Sequence, residues 1–451
     1  MKIISLKKIR DKILKFDLFE LGNSVILYYF LLFYLVSILV LLGVSGDLAN
    51  NRPIHYETVF YITIGFIFLI FGYFSRIYSI FFKKQSNFLE KEWDFDKVPW
   101  IFACVFILGL LTKAIRILEG GASYLAHNPL FEKSYLYSMV GFFDWFSYIA
   151  LIIAFGSYFY LKKSNNSRYK IWRFMAWGVF IVEMVYALPS CSRMQVLIPI
   201  LLYLIVRWYV LEKSYFKTAI ILFFSIIILF PFGTICRLPA YNLNNSPTSH
   251  PIKAIQSVIE KGQISEQIIT DNKLTVVSVA RNIGNFAISN ILIRTDQSSV
   301  FTAILKHPQP FLRGATYREM LFVFGPPRFL WETKPLSINA DGNAFGRRIG
   351  VLGDKNDTTG VGPTIIGDLY MNFGVGGIIQ GMFLLGALFR FIYEYLIKMT
   401  GVSLSGVMIY SVIWIQVIKG MEDWIAPVYI GIIRIIVVLV ITHFLLVKRN
   451  R

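Results

Sequence analysis

The sequence predicts an all-α polytopic membrane protein with about ten transmembrane helices and a large, partly helical outer loop between the seventh and the eighth. Of the 451 residues, 56% are hydrophobic and only 16% are charged, whereas a soluble domain carries about 25% charged residues. Residues 21–46 contain no charged side chain, and this run exceeds the roughly 20 residues that one bilayer crossing needs. With 40 Phe and 3 Cys, the composition also excludes a disordered chain and a disulfide scaffold.

Ten apolar segments are candidate spans when interrupted runs are included. They lie near residues 22–45, 58–80, 98–117, 135–161, 171–188, 194–211, 218–237, 364–390, 400–419 and 424–447. The first is too long for a signal-peptide core, so we expect it to remain as a helix. The predicted organisation is helices one to seven in residues 1–237, the outer loop in 238–363, and helices eight to ten in 364–451.

The distribution of Lys and Arg predicts the orientation. Counted with the adjoining span ends, the terminal and connecting segments on one side hold 24 basic residues, and the short segments on the other side hold 6. Basic residues resist translocation, so both termini are expected in the cytoplasm and the long loop outside. The formal charge of +18 therefore indicates membrane orientation, and no nucleic acid partner is expected.

The outer loop carries apolar residues at helical spacing in two places. Residues 252–259 and 279–286 show this pattern, which is typical of amphipathic helices. We expect both stretches to lie at the membrane surface, over the spans.

Residues suited to binding a phosphorylated carbohydrate concentrate late in the loop. Residues 325–335 read Gly-Pro-Pro-Arg-Phe-Leu-Trp-Glu-Thr-Lys-Pro, residues 341–348 read Asp-Gly-Asn-Ala-Phe-Gly-Arg-Arg, and residues 367–374 read Gly-Asp-Leu-Tyr-Met-Asn-Phe-Gly. Arg binds phosphate oxygens with two parallel hydrogen bonds, Gly-rich helix starts bind anions, and sugars stack on aromatic rings. The combination predicts a site for a lipid-linked, phosphorylated carbohydrate.

Patterns of other enzyme classes were not found. The sequence has no HExxH, CxxC or P-loop motif, and its 5 His are scattered, so neither a metal site nor a cofactor is expected. Asp94-Phe95-Asp96 has the acidic spacing of metal-dependent nucleotide-sugar transferases. It lies in a segment predicted to be cytoplasmic, among other charges, and is interpreted as a solvated charge run.

The late motifs resemble those of the O-antigen polymerases, the Wzy-type oligosaccharide repeat-unit polymerases of bacterial envelopes. The resemblance rests on Pro-Arg-Phe-Leu-Trp-x-x-Lys-Pro at 327–335, the Gly-rich stretch with Phe that follows, and Gly-Asp-Leu-Tyr-x-Asn-Phe-Gly at 367–374. Residues 190–193, Ser-Cys-Ser-Arg, resemble the small-residue-plus-Arg turn of the same family. Asp368 departs from the pattern, since family members often carry Glu there.

The resemblance implies a glycosyltransferase in the bacterial cytoplasmic (inner) membrane. It would polymerise oligosaccharide repeat units carried on undecaprenyl pyrophosphate, at the outer face, for O-antigen (and so lipopolysaccharide), capsule or exopolysaccharide. The pyrophosphate bond already carries the activation, so no nucleotide sugar is needed. Besides the lipid bilayer, the expected partners are a flippase and a chain-length regulator.

The implied reaction needs cations for the departing pyrophosphate and a base for the acceptor hydroxyl. With no metal expected, Arg side chains would do the work that Mg²⁺ does elsewhere. The candidate catalytic carboxylates are Asp368, Asp341 and Glu332. The candidate pyrophosphate- or substrate-binding residues are Arg328, Arg193, Arg281, Lys334, Arg347, Trp331 and Tyr370.

Three other functions fit parts of the sequence. An O-antigen ligase would share the architecture and the donor, and the match at 327–335 favours the polymerase over it. A polysaccharide or lipid-linked sugar transporter or flippase commonly shows paired halves, which this sequence lacks. A noncatalytic scaffold of envelope assembly leaves the clustered Arg residues of the outer loop unexplained.

Overall fold

A computed structural model describes most of the membrane-spanning part of the chain and parts of the outer segment. The described residues are 17–35, 37–38, 56–75, 77, 89–118, 143–190, 192–211, 214–235, 296–319, 331, 342–353 and 360–448. About 81% of them are helical. Within these ranges no strand is present, and the β-structure is an isolated bridge between Trp93 and Val447.

The helices follow one another with short connections wherever the connections are described. In chain order they are α1 (Leu21–Tyr29, continued as a π-helix over Phe30–Leu35), α2 (Tyr56–Phe74), α3 (Val98–Leu118), α4 (Trp145–Lys163), α5 (Tyr169–Ala187), α6 (Arg193–Val210), α7 (Tyr215–Ile235), α8 (Ser298–Lys306), α9 (Ala315–Glu319), α10 (Gly342–Arg348), α11 (Thr364–Tyr393, continued as a π-helix over Glu394–Lys398), α12 (Leu404–Gly420) and α13 (Ile425–Leu446).

The predicted class of all-α polytopic membrane protein is confirmed. Seven helices of the described residues, α2 to α6, α11 and α13, are long and apolar enough to cross a membrane by length and composition. Each of the ten predicted spans overlaps a helix, and the other three, α1, α7 and α12, are shorter apolar helices. The count of ten therefore stays a prediction. The surface helices predicted at 252–259 and 279–286 lie outside the described residues.

Close backbone approach joins α2 to α11. A Cβ atom at Gly72 would overlap the carbonyl oxygen of Phe383, and one at Gly386 would overlap that of Leu69. Small residues let membrane helices pack at this separation, where van der Waals contact replaces the hydrophobic drive available in water. α11 is consequently held along its length against α2.

At one end of the bundle, polar contacts join helix ends that the sequence predicts to be cytoplasmic. The Asp17 carboxylate is buried and accepts hydrogen bonds from Trp208 Nε1 and Tyr393 Oη, both at 2.9 Å. Arg390 Nη1 lies 2.8 Å from Glu20 Oε1. These bonds connect the residues before α1 with the ends of α6 and α11. The start of α1 and the ends of α6 and α11 thus lie at the same end of the bundle, as the predicted alternation of the spans requires. The membrane face that this end occupies stays a prediction.

At the opposite end, the short helices of the outer segment pack on the starts of α11 and α13. Phe301 and Ile304 of α8 are buried in the core, and a Cβ atom at Gly367 would lie 2.7 Å from Ile304 Cδ1. Thr302 of α8 is also hydrogen-bonded to Thr58 of α2, at 2.9 Å. The described part of the outer segment is therefore a packed layer over α2 and α11.

Candidate functional site

The motif at 367–374 lies in the first turns of α11 and ends at a break in that helix. Gly374 has φ 63° and ψ −150°, a conformation that glycine adopts without a Cβ clash. The carbonyls of Met371 and Asn372 accept hydrogen bonds from the backbone amides of Leu312 (2.9 Å) and Arg313 (3.1 Å). The break therefore lets the loop between α8 and α9 bond directly to the α11 backbone.

Asp368 is the centre of a buried hydrogen-bond network. Its side chain is 0% exposed. Oδ1 accepts a bond from Asn372 Nδ2 at 2.9 Å, and Oδ2 accepts one from the backbone amide of Ile425 at 3.0 Å. The hydroxyls of Thr316 and Tyr317 donate to the two oxygens at 3.5 Å each. Asp368 thus joins α9, α11 and the first residue of α13.

Asn372 extends this network to the loop. Its Oδ1 accepts a bond from the backbone amide of Gly314 at 3.1 Å, and its Nδ2 also donates to Thr316 Oγ1 at 2.8 Å. Asn372 lies four residues after Asp368, so both side chains project from the same face of α11. The pair holds the loop residues in register with the helix.

Tyr317 packs against the network through its ring and its hydroxyl. Its ring stacks on Phe373 with a centroid distance of 5.8 Å and an interplanar angle of 3°. Burial, and then the Asp368 carboxylate, raise the pKa of the Tyr317 hydroxyl well above its ordinary value, so this hydroxyl stays protonated and donates. Four donors thus surround the Asp368 carboxylate, and this geometry supports a positioning role more than proton transfer to it from substrate.

A pocket adjoins this network between α8, α10 and the starts of α11 and α13. It encloses about 620 Å³, including the open space at its mouth. Aromatic rings of Phe311, Phe345, Tyr370 and Trp424 line it. Its polar lining comes from the side chains of His307, Gln309 and Arg348.

The aromatic walls of the pocket are held by edge contacts. Tyr370 meets the rings of Phe311 and Phe301 at centroid distances of 5.9 and 5.8 Å, and Phe345 meets Trp424 at 5.3 Å. Such edge-to-face pairs are the favoured geometry of aromatic contacts. The pocket walls are therefore fixed by packing before any ligand is bound.

Arginine side chains surround the site. Arg313 is exposed on the loop that bonds to α11, Arg318 is exposed in α9, and Arg348 is exposed at the pocket. Arg347 is half-buried in the last turn of α10. These cations give the region the positive charge that an anionic substrate needs.

The structure brings together only some of the residues selected from the sequence. Asp368 and Tyr370 share the first turns of α11, and Arg347 precedes the pocket residue Arg348. Arg193 begins α6 after the Ser192 cap and is not among the pocket residues. Trp331 is 38% exposed. The other candidates, Asp341, Glu332, Arg328, Arg281 and Lys334, lie outside the described residues.

A second polar cluster lies where the ends of α3 and α5 approach α4. Lys113 and Glu183 form an ion pair although they are only 7% and 1% exposed, and Lys113 Nζ also lies 4.6 Å from the ring centroid of Tyr186. Arg116 Nη2 lies 2.5 Å from Asp144 Oδ2. A buried ion needs such a partner, because an unpaired one is costly. Pairing therefore accounts for Glu183 without a catalytic role.

Several residues of the site were not selected from the sequence, namely Asn372, Thr316, Tyr317, His307 and Trp424. Asn372 carried a usable signal, because its spacing of four from Asp368 places it one helical turn away. The others come from separate segments that only the fold brings together. In the described part of the chain, no group of three or more His, Cys, Asp or Glu is placed to hold a metal ion; metal independence stays a prediction.

Comparison with known proteins supports the family suggested by the motifs. Residues 346–441 match the model of the family described as "Putative O-antigen polymerase". Searches of curated proteins and of solved structures found no match. The matched region runs from the last turn of α10 through α11 and α12 into α13, and it contains Asp368, Asn372, Tyr370 and Trp424. The chain's resemblance to the O-antigen polymerases is thereby confirmed.

Proposed function

We propose that the protein is a membrane glycosyltransferase that polymerises undecaprenyl-pyrophosphate-linked oligosaccharide repeat units on the outer face of the cytoplasmic membrane. The observation that carries the proposal is the family match over 346–441, which supports an O-antigen polymerase role. The matched region contains Asp368, Asn372 and Ile425 of the buried network and five of the fourteen residues that line the pocket. The membrane-embedded architecture suits a substrate with a lipid tail.

The proposed reaction exchanges one bond to the anomeric carbon for another. The bond from the anomeric carbon of the growing chain to the pyrophosphate oxygen breaks, and lipid pyrophosphate leaves with the electron pair. A hydroxyl oxygen of the incoming repeat unit forms the new glycosidic bond to that carbon, and its proton passes to a base or to water. No oxidant, reductant or nucleotide is consumed.

The cations near the buried network suit the leaving group. Negative charge develops on the pyrophosphate as the bond breaks, and preorganised donors stabilise such charge best where water is excluded. In the described residues, Arg313 and Arg318 are exposed next to the network residues Gly314 and Tyr317, and Arg348 is exposed at the pocket. Arg328, from the motif at 327–335, is the cation that the sequence nominates first.

The buried network suits a positioning function. Asp368 and Asn372 hold the loop of Gly314 and Thr316 against the start of α13. Fixed positions reduce the loss of freedom when a substrate and catalytic groups are brought together. Asp368 would act by keeping the loop and pocket in place, and the identity of the base stays open between Asp341 and Glu332.

The test is polymerisation by purified protein in proteoliposomes, with lipid-linked repeat units as the only substrate. A ladder of lengthening lipid-linked chains is expected. Transfer of the chain to a lipid A core acceptor, with no lengthening on the lipid pyrophosphate, would identify the ligase instead. Movement of the substrate across the bilayer without a new glycosidic bond would identify a transporter.

Arg328→Lys tests the proposed leaving-group contact. The variant keeps the charge but loses the planar fork that binds phosphate oxygens, so the rate is expected to fall on the order of 10²–10³-fold. Arg168→Lys is the matched control, because the Arg168 side chain is exposed at the other end of the bundle. A normal ladder from a stable Arg328→Lys protein would remove Arg328 from the site.

A further inference from the structure

Trp424 differs from other buried tryptophans of the bundle in the bonding of its indole nitrogen. Trp93, Trp208 and Trp414 donate to Ser405, Asp17 and Ser24 at 2.8 to 3.0 Å. Trp424 is only 3% exposed, yet its Nε1 has no hydrogen-bond partner among the described residues. Buried donors are rarely left unpaired in native proteins, and each one calls for an explanation.

The position of Trp424 supplies a reason for the unpaired donor. Its side chain lines the pocket beside α10 and α11. Nε1 itself is closed to solvent, so an acceptor atom of a bound molecule reaches it from the pocket when the lining shifts slightly on binding. Leaving the donor unpaired costs free energy in the empty protein. A ligand oxygen that accepts from Nε1 would recover that free energy on binding.

The lining indicates what kind of molecule carries this oxygen. Among the aromatic residues of the lining, Phe311 is 51% exposed and Tyr370 is half-buried, so both rings are accessible to the C–H groups of a pyranose. His307 and Gln309 can exchange hydrogen bonds with hydroxyl groups.

Other occupants fit less well. A polyprenyl tail has no acceptor for the indole donor, and burying the pocket's polar groups against it would leave them unpaired. A pyrophosphate would meet only one arginine of the lining, Arg348, and that side chain is exposed. A sugar matches both the aromatic and the polar part of the lining.

We propose that this pocket is a saccharide subsite that binds one sugar residue of the lipid-linked repeat unit, with Trp424 Nε1 donating to an oxygen of that sugar. The proposal rests on the proposed polymerase function, and it adds Trp424 as a residue that determines substrate specificity. The bond selects sugars that present an acceptor oxygen at this point of the pocket.

The experiment measures binding of two probes to the purified full-length protein. One probe is the lipid-free oligosaccharide released by mild acid from the lipid-linked repeat unit of the source strain. The other is undecaprenyl pyrophosphate, which carries no sugar. Trp424→Phe removes the N–H and keeps an aromatic ring, and Trp414→Phe is the matched control because its lost bond goes to Ser24 inside the bundle.

Trp424→Phe is expected to bind the oligosaccharide roughly 2- to 10-fold more weakly, which is the effect of one net hydrogen bond. Its affinity for undecaprenyl pyrophosphate is expected to be unchanged, and Trp414→Phe should match the wild type for both probes. Equal oligosaccharide affinity of Trp424→Phe and wild type would overturn the proposal, because the N–H would then make no bond to the sugar. A loss confined to undecaprenyl pyrophosphate would overturn it in favour of a headgroup site.

A second variant keeps the test decisive if Trp424→Phe does not fold. Gln309 is exposed and lines the pocket, so Gln309→Trp is expected to fill the pocket without disturbing the core and to abolish oligosaccharide binding. Unchanged binding by this variant would overturn the subsite. Polymerisation is scored separately, because a wild-type protein that binds the oligosaccharide without lengthening it would refute the proposed function and leave the subsite standing.

Discussion

Exchanging the two side chains at the centre of the buried network separates a positioning role of Asp368 from a catalytic one. Asp368→Asn places an NH₂ group where an oxygen now accepts from Asn372 or from the Ile425 amide. Asn372→Asp places a carboxylate beside the Asp368 carboxylate. The double variant Asp368→Asn/Asn372→Asp restores a donor opposite an acceptor at the 2.9 Å contact.

The expected magnitudes follow from burial. Asp368→Asn leaves a buried donor facing another donor, at a cost of about 1–3 kcal/mol. Asn372→Asp brings two carboxyl groups into contact, so one must remain protonated, and a cost of similar size is expected. The double variant loses the bond from position 372 to the Asp368 carbonyl oxygen, so its recovery is expected to be partial, with a coupling of about 0.5–3 kcal/mol.

The assay is the thermal unfolding midpoint of each purified variant, measured together with polymer length. Asp96→Asn is the matched control, because Asp96 is exposed and surface ion pairs contribute little; its midpoint should equal the wild type. Positioning predicts that the double variant recovers midpoint and polymer together. Full stability of Asp368→Asn without polymer would refute this reasoning and restore Asp368 as a proton acceptor.

Three further outcomes are expected. Glu183→Gln leaves the buried Lys113 charge without its partner, at a cost of about 3–5 kcal/mol, so the unfolding midpoint of this variant should fall. The double variant Lys113→Met/Glu183→Gln should recover the midpoint, and equal midpoints for the two variants would contradict the buried pair. A reporter fused after Lys306 should be active outside the cytoplasmic membrane and one after Lys163 inside, and the opposite pattern would reverse the predicted orientation. Purified protein should form polymer in excess EDTA, whereas activity that disappears and returns with Mg²⁺ or Mn²⁺ would exclude a metal-independent reaction.

The fold class could be predicted because the bilayer imposes it on the composition. Spanning segments must satisfy their backbone hydrogen bonds internally, so long apolar runs become helices. The predicted span near 98–117 is α3, Val98–Leu118, and the one near 424–447 is α13, Ile425–Leu446. The predicted span near 364–390 also begins at Thr364 as predicted, because Gly362 and Pro363 precede it. Hydropathy does not specify how these helices pack against one another.

The site could be predicted only where its residues are adjacent in the sequence. The motif at 367–374 contains Asp368, Asn372 and the break at Gly374, so a pattern of eight residues covers the centre of the network. Trp424 and Thr316 are far from it in the sequence. Nothing near Trp424 marks it, because an aromatic residue before an apolar helix is common at membrane interfaces.

The two ends of α11 explain how one helix can keep a polar site aligned within a bundle of apolar helices. At the end predicted to be cytoplasmic, Arg390 is paired with Glu20, and Tyr393 donates to the buried Asp17. At the other end, Asp368 binds the first amide of α13. Contacts between lipid-facing helices are weakly directional, whereas these bonds specify rotation and depth. A shift of α11 by one residue would break both sets at once. The register of α11, and with it the place of Tyr370 in the pocket wall, is therefore set from both ends. The proposed transfer reaction would require such preorganisation.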